Sequence, residues 1–112
     1  MTGGFNPSVS EKKSMYLKIH ETPKGKIVAA CDQELLGKVL DNGRIYLDLK
    51  THRSFYSGSL AGDKELREAL GNFVSANLVG KRAVAVAIEM DIADKRDVMY
   101  INKTPHIQLY RI

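Results

Sequence analysis

The sequence predicts an α+β protein in which two main helices pack on one face of a mostly antiparallel sheet. Short segments with alternating apolar residues lie towards both ends of the chain, and this is the period of half-buried strands. Between them, apolar residues recur at three- and four-residue spacing, which is the period of amphipathic helices. Strands on both sides of a block of helices are typical of α+β domains, so the predicted order is β-β-(short α)-β-α-α-β-β.

Length and composition bound the class of protein. A chain of 112 residues with 44% hydrophobic content forms one domain with one modest core. We predict this domain over residues 14–112 and a disordered tail over residues 1–13, where glycine, proline and serine interrupt any regular element. The net charge of +4 favours an anionic partner over a basic one.

Cysteine content and hydropathy predict a cytoplasmic protein. Cys31 is the single cysteine, which excludes an internal disulfide and suits a reducing compartment. No apolar stretch reaches the length of a membrane span. The first residues also lack the apolar core of a secretory signal.

Residues 15–31 predict a β-hairpin. Within residues 15–21, Met15, Leu17 and Ile19 alternate with polar or amphipathic residues, so they share one face of a strand. Residues 22–25 read Thr-Pro-Lys-Gly, and a proline early with a glycine late is typical of a turn. Residues 26–31 form the returning strand, which is more apolar.

Two shorter elements follow this hairpin. Asp32 is placed as the N-cap of a short helix over residues 33–39. Residues 44–50 alternate cleanly, with Ile45, Leu47 and Leu49 inward, and give the clearest strand of the chain. Residues 51–61 are rich in hydrogen-bonding side chains and predict a loop.

Two helices and a closing pair of strands complete the chain. Residues 63–76 predict an amphipathic helix with one apolar stripe. Residues 78–90 predict a second, well-buried helix with Asn77 as its N-cap. Residues 98–102 and 107–111 predict two short strands around Lys103-Thr104-Pro105. The apolar stripe of the first helix consists of Leu66, Ala69, Leu70, Phe73 and Val74.

Two cations near the start of the second helix are the sharpest functional signal. Lys81 and Arg82 fall at the end that free N–H groups and the macrodipole already make positive, which is unfavourable unless an anion is present. A phosphate or carboxylate would satisfy both. We therefore predict an anion or phosphate site made of Asn77, Gly80, Lys81, Arg82 and Arg53. The segment is not a Walker loop, and the alternative is that both side chains extend into water over apolar surface.

A second signal is a sheet face that combines aromatic and basic residues. Tyr16 and Lys18 share one face of the first strand, and Arg44 and Tyr46 share one face of the third. Tyrosine stacks on bases and cations bind phosphates, so these four residues predict a nucleic-acid contact. The alternative is an ordinary solvent-facing sheet surface, where tyrosine and basic residues are common.

Catalysis, metal binding and cofactors have little support in the sequence. The loop over residues 52–58 contains His52, Ser54 and Tyr56, but a triad is recognised by geometry and not by proximity along the chain. The histidines and Cys31 lack paired zinc-ligand spacing, and Cys31 sits in an apolar strand as a buried thiol. We assign no catalytic residue, no metal ligand and no cofactor.

Several stretches of the chain resemble a small archaeal family of unknown function. The stretches are YLKIHET (16–22), CDQELLGK (31–38), FYSG (55–58), ANLVGKRAV (76–84) and PHIQ (105–108). The resemblance covers residues 15–112 and implies an archaeal, cytoplasmic protein. It implies no activity, because the family has none to carry over.

These observations favour a non-enzymatic module that binds RNA or a ribonucleoprotein through the cationic helix start. One alternative is a small enzyme or ligand-binding protein that grips a phosphorylated or carboxylated metabolite between the 52–58 loop and that helix start. A third possibility is a protein-interaction domain, with an exposed apolar patch or with residues 107–112 pairing with another chain.

Overall fold

The computed structural model describes residues 12–111 and has the α+β fold that the sequence predicts. The strands are β1 (Met15–Thr22), β2 (Gly25–Asp32), β3 (Val39–Asp41), β4 (Tyr46–Asp48), β5 (Ser59–Ala61), β6 (Ser75–Val79), β7 (Met99–Ile101) and β8 (Thr104–Tyr110). The helices are α1 (Arg53–Tyr56), α2 (Asp63–Ala69) and α3 (Lys81–Glu89), with 3₁₀ turns at Gln33–Leu35 and Lys95–Asp97.

Six of these strands form the main sheet of the described residues, in the order β5-β1-β2-β6-β8-β7. Its pairings are antiparallel except that of β2 with β6, which is parallel. The parallel pair lies at the centre, where Cys31 is opposite Val79 and where both strands end beside the start of α3. β3 and β4 form a separate antiparallel pair.

The main sheet is covered on both faces. Helices α2 and α3 pack on one face, as predicted, over a core that includes Val28, Ala30 and Leu78. The opposite face carries Ala29 and Cys31, and the segment with β3, β4 and α1 packs there. Alternate residues of β2 therefore contribute to two separate cores, which explains why this strand reads as almost continuously apolar.

The strand β6 was missed, and the predicted helix over residues 63–76 is too long. Helix α2 ends at Ala69, and the chain then turns through Gly71 and enters β6 at Ser75. The apolar stripe was correct in part, because Leu66, Leu70 and Phe73 are buried, but the last two lie beyond the end of the helix. A five-residue strand has too few residues to show its period clearly. The second predicted helix, over residues 78–90, corresponds to α3, which is shorter because residues 78 and 79 belong to β6.

The segment after β2 also differs from its prediction. The expected helix over residues 33–39 is a three-residue 3₁₀ turn, and Val39 already begins β3. The expected strand over residues 44–50 is shortened to β4. Its end is set by Asp48, whose side-chain oxygen Oδ1 accepts hydrogen bonds from the backbone N–H groups of Lys50 at 3.0 Å and Thr51 at 2.8 Å. Such local side-chain bonds compete with strand pairing.

The predicted hairpin over residues 15–31 is confirmed, and the two predicted closing strands pair with each other, although the second begins at Thr104 and not at residue 107. β1 pairs with β2 along its whole length, and β7 pairs with β8 around a turn at Asn102 and Lys103. These two turn residues have φ values of 49° and 74°, the left-handed conformation of a tight hairpin turn. Residues 1–11 of the predicted disordered tail lie outside the described residues. No helix within residues 12–111 is long and apolar enough to cross a membrane.

His106 is a buried titratable residue on β8, between β6 and the edge strand β7. It is 6% exposed, and neither ring nitrogen has a hydrogen-bond partner among the described residues. Its strand neighbours are Val79 on β6 and Met99 on β7. Burial lowers the pKa of His106 below its ordinary value of 6.5, because the charged imidazolium is poorly solvated there.

This burial predicts a loss of stability in mild acid. The unfolded chain takes up a proton at His106 near pH 6.5, but the folded protein does so only at lower pH. The free energy of unfolding should fall as the pH drops below 6.5, by at most about 1.4 kcal/mol per pH unit, until the folded-state pKa is reached. Urea denaturation between about pH 7.5 and about pH 5.5 measures this loss. His106→Leu should reduce it, whereas His52→Leu, at an exposed position, should not. An unchanged pH profile in His106→Leu would contradict the assignment.

Candidate functional site

The N-terminus of α3 is closed by a carboxylate from β2. Gly80 is the N-cap residue, and the backbone N–H groups of Arg82 and Ala83 each donate to one oxygen of Asp32 at 3.0 Å. Asp32 is 2% exposed. Burial raises the pKa of this carboxyl group, against the lowering effect of the two N–H bonds and of the Arg82 charge. The anion that the helix start requires is therefore supplied by the protein itself.

Glycine is the only residue type that fits at position 80, between the end of β6 and the Asp32 carboxylate. Its φ of 106° and ψ of 161° lie in a region that is essentially restricted to glycine. A Cβ atom at this position would lie 2.6 Å from both carboxylate oxygens of Asp32. Glycine thus permits both the backbone turn from β6 into α3 and the close approach of the cap.

The side chain of Arg82 is held by acidic residues at the same helix end. Its Nη1 atom donates to both oxygens of Glu34 at 3.0 and 3.1 Å, and it lies 3.8 Å from an oxygen of Asp32. The Arg82 charge is thereby balanced within the chain. Lys81 differs, because it is exposed and forms no ion pair among the described residues.

Asn77 and Arg53 lie away from this helix start. The prediction that Asn77 caps the helix is wrong, because Asn77 lies in β6 and its side-chain oxygen accepts a hydrogen bond from Gln108 at 2.9 Å. Arg53 begins α1, whose residues Phe55 and Tyr56 pack on the opposite face of the sheet from α3. The structure therefore does not bring Arg53 and Lys81 together.

The four predicted stacking residues are divided between two sheets. Lys18 donates from Nζ to the backbone oxygen of Ser54 at 2.8 Å, and Tyr16 is half-buried beside it on the strand. This face of β1 is thus partly covered by the α1 segment. Tyr46 is 63% exposed on β4, and Arg44 is exposed in the turn before it. The set does not form one continuous open face.

Two grooves flank the exposed side of α3, and Lys81 and Ala85 line both of them. The first, which we call the α2–α3 groove, has a volume of about 750 Å³. Five cations and two acids line it, but Arg67 is paired with Glu89 at 2.7 Å and Arg82 with Glu34 at 3.0 Å, so three lysines remain against two carboxylates. Its charged lining residues are Lys12, Asp63, Lys64, Arg67, Glu68, Lys81 and Arg82.

The second groove lies between α3 and the β7–β8 hairpin and is called here the α3–β7 groove. Its volume is about 520 Å³, and Lys81, Lys95 and Lys103 line it. These lysines form no ion pair among residues 12–111. Glu89 is the acidic lining residue, and its charge is balanced by Arg67. The cationic excess of the helix surface is therefore concentrated in this groove.

The α3–β7 groove also has an apolar floor and an aromatic wall. Tyr100 is 60% exposed and lies directly across from Pro105 in the β7–β8 hairpin, so both side chains are on the α3 side of the sheet. The apolar lining residues are Val84, Ala85, Ile88, Val98 and Pro105. Cations around an apolar and aromatic surface can bind an anion that carries a flat ring.

Sequence reasoning missed Lys95, Tyr100 and Lys103. Residues 91–97 were read only as a charged connection, yet Asp94 caps the 3₁₀ turn there by accepting the N–H of Arg96 at 2.8 Å and so fixes Lys95. Tyr100 was placed in the first closing strand, but Lys103 and Pro105 were placed in the connection, so the pairing of Tyr100 with Pro105 was not predicted. Their approach to α3 depends on the order of strands in the sheet.

Two buried titratable groups, Cys31 and Tyr56, have raised pKa values. Burial, with a contribution from the charge of Asp32, raises the pKa of the Cys31 thiol to about 12, so the nucleophilic thiolate is disfavoured. Burial likewise raises the pKa of Tyr56 to about 12. Neither groove includes a residue of the 52–58 segment. Within residues 12–111, no three His, Cys, Asp or Glu side chains lie close enough to hold a metal ion.

Fold and surface together define an α+β domain with an internally capped helix and a lysine-lined groove. The chain belongs to the family described as protein of unknown function (DUF424), which it matches over residues 8–112. It is similar to an uncharacterized conserved protein from Methanopyrus kandleri, seen in a crystal structure, at 28% identity and a TM-score of 0.70. The match covers 86% of this chain and 90% of that one. None of the curated proteins matches it. The predicted resemblance to an archaeal family of unknown function is confirmed.

The Gly80 geometry predicts a large effect of one methyl group. Gly80→Ala should lower the free energy of unfolding by about 3 kcal/mol, because it combines a glycine-only backbone with a clash against Asp32. Gly43→Ala is the matched control, with a φ of 88° and no atom within 4 Å of its Cβ position, and it should lose only about 1 kcal/mol. Equal losses of both variants in urea denaturation would show that the contact with Asp32 adds nothing to the cost of a Cβ atom at position 80.

The Asp32 cap predicts a clear difference between two neighbouring acids. Asp32→Ala should lower the free energy of unfolding by about 3 kcal/mol, because two helix N–H groups lose a charged acceptor. Glu34→Ala removes the exposed partner of Arg82 and should change it by less than about 1 kcal/mol. Denaturation of both variants under the same conditions measures the difference. A loss in Glu34→Ala as large as that in Asp32→Ala would contradict the assignment of the cap.

Proposed function

We propose that this chain is a non-enzymatic module that binds RNA, free or within a ribonucleoprotein, through the α3–β7 groove. The observation that carries the proposal is the group Lys81, Lys95 and Lys103, which lines one groove without an ion pair among the described residues. Like charges repel one another, so their grouping is stabilised by an anion. A cytoplasmic location is part of this proposal.

Phosphates of a nucleic acid are suited to such a group of lysines. Lysine is a compact point charge on a flexible stem, and it binds phosphate without demanding one geometry. Each phosphate that it neutralises releases counterions, which supplies affinity that is independent of base sequence. The three lysines come from a helix start, a 3₁₀ turn and a hairpin turn, so the fixed fold spaces them around the groove.

The conformation of Lys103 supports a role outside folding. Its φ of 74° is left-handed, and glycine is the residue that hairpin turns prefer at such a position. A non-glycine residue there costs about 1 kcal/mol or more. A lysine that is exposed and conformationally unfavourable, yet lines the groove, fits a residue retained for binding.

The proposal changes the roles of the residues that the sequence indicated. Lys81 stays as a phosphate contact at the junction of the two grooves. Arg82 and Gly80 act instead in the internal cap, through Glu34 and Asp32. The predicted contacts by Asn77, Arg53, Tyr16, Lys18, Arg44 and Tyr46 have no part in this groove.

Salt-dependent binding tests the proposal. A fluorescent oligouridylate of about 12 nucleotides, followed by anisotropy, should bind with an affinity that falls steeply between about 50 and about 200 mM salt. The double variant Lys81→Ala/Lys95→Ala should bind more weakly, and the slope of log affinity against log salt should decrease by about 1.4, or about 0.7 for each lost contact. Lys103→Gly should also weaken binding without destabilising the fold.

The matched control removes the same charge elsewhere. Lys24→Ala/Lys26→Ala lies at the β1–β2 turn, apart from either groove, and should leave affinity and slope near those of the unchanged protein. Equal losses in both double variants would mean that overall charge, and not the groove, determines binding. Absence of binding by the unchanged protein at the lowest salt would overturn the proposal and favour the protein-interaction alternative.

A further inference from the structure

Tyr100 is an exposed aromatic residue beside the lysine group. It is 60% exposed on β7, and it lines the α3–β7 groove. Its backbone is fixed by the β7–β8 hairpin and by the Asn42 side-chain amide, which donates to the Tyr100 carbonyl oxygen at 3.5 Å. The ring is therefore carried on a fixed strand, where it forms one wall of the groove.

The surface next to this ring is apolar and has the size of a small-molecule site. Val84 and Ile88 approach from α3, and Val98 and Pro105 approach from the hairpin. The groove volume of about 520 Å³ lies within the range of pockets that hold compact organic ligands. Contact with apolar side chains does not stabilise a bound phosphate, because a charged group loses hydration there without gaining a hydrogen bond. A flat, weakly polar ring attached to a phosphate uses both the floor and the lysines.

We infer that the α3–β7 groove takes an unpaired base of single-stranded RNA, stacked on Tyr100, while Lys81, Lys95 and Lys103 bind the flanking phosphates. This inference rests on the proposed function and specifies the form of RNA that is bound. Base stacking on tyrosine is tolerant of sequence, because every base presents a flat face. In a duplex the bases are already stacked and paired, so they cannot enter a side groove without opening the helix.

The test compares ligands with the same phosphates but different bases. An oligouridylate of about 12 nucleotides should bind more tightly than an abasic phosphodiester of equal length, and more tightly than a duplex with the same number of phosphates. Tyr100→Leu should weaken oligouridylate binding about tenfold and leave abasic binding unchanged. Tyr100→Phe should keep most of the affinity, because it keeps the ring.

Tyr110→Leu is the matched control. Tyr110 is 71% exposed, but it lies on β8 at an even position, with His106 and Gln108, and so faces the opposite side of the sheet. Its loss should leave oligouridylate binding unchanged. An oligomer that carries 5-iodouridine should also crosslink, on irradiation, to the tryptic peptide of residues 97–103, which contains Tyr100.

The outcomes separate this inference from the function on which it rests. If the lysine double variant loses affinity but Tyr100→Leu binds oligouridylate as well as the unchanged protein, the phosphate site stands and base stacking is refuted. Equal affinities for abasic and uridylate oligomers, or tighter binding of the duplex, would also refute it. If Lys81→Ala/Lys95→Ala and Lys24→Ala/Lys26→Ala have the same affinity, the proposed function itself is refuted, and base stacking in the groove is refuted with it.

Discussion

The buried carboxylate of Asp32 is the interaction on which the rest of this structure depends. It ends β2, accepts the free N–H groups at the start of α3 and lies against Gly80, so one side chain joins a central strand, a helix and the turn from β6. The parallel pairing of β2 with β6 makes this possible, because both strands end at the same edge of the sheet. A buried carboxylate is tolerated only where hydrogen bonds and a cation compensate for lost hydration, and here two N–H groups and Arg82 do so.

This cap also decides where an external anion can bind. Helix N-termini are ready sites for phosphate, but two of the donors of α3, the N–H groups of Arg82 and Ala83, are already occupied by Asp32. The two cations at this helix end therefore differ: the charge of Arg82 is balanced by Glu34, whereas Lys81 is exposed on the helix surface. The start of α3 is also bonded to β8, because the backbone N–H of Gly80 donates to the carbonyl oxygen of Pro105 at 2.8 Å. The Asp32 cap and this bond together hold the helix end that carries Lys81 beside the α3–β7 groove.

Local patterns predicted the hairpins, and non-local contacts explain the errors. The alternation of Met15, Leu17 and Ile19 is visible along the chain, so β1 and β2 could be placed. The prediction that Asp32 caps a helix over residues 33–39 is wrong, because its side chain makes no hydrogen bond to that turn and instead accepts from Arg82 and Ala83, which are distant in sequence. The same holds for the site, where Lys81 was found from local chemistry. Lys95, Tyr100 and Lys103 required the strand order that brings β7 and β8 beside α3.

The chemistry of the α3–β7 groove argues for tolerance of base sequence. Selective readout of a base edge needs fixed donors and acceptors, such as a bidentate arginine or an amide. The groove offers instead flexible lysines, a tyrosine ring and aliphatic side chains, and its carboxylate, Glu89, is bound to Arg67. Such a surface contributes stacking and charge, both of which are nearly the same for every nucleotide. For the RNA binding proposed above, this surface would therefore favour exposed single strands without selecting among base sequences.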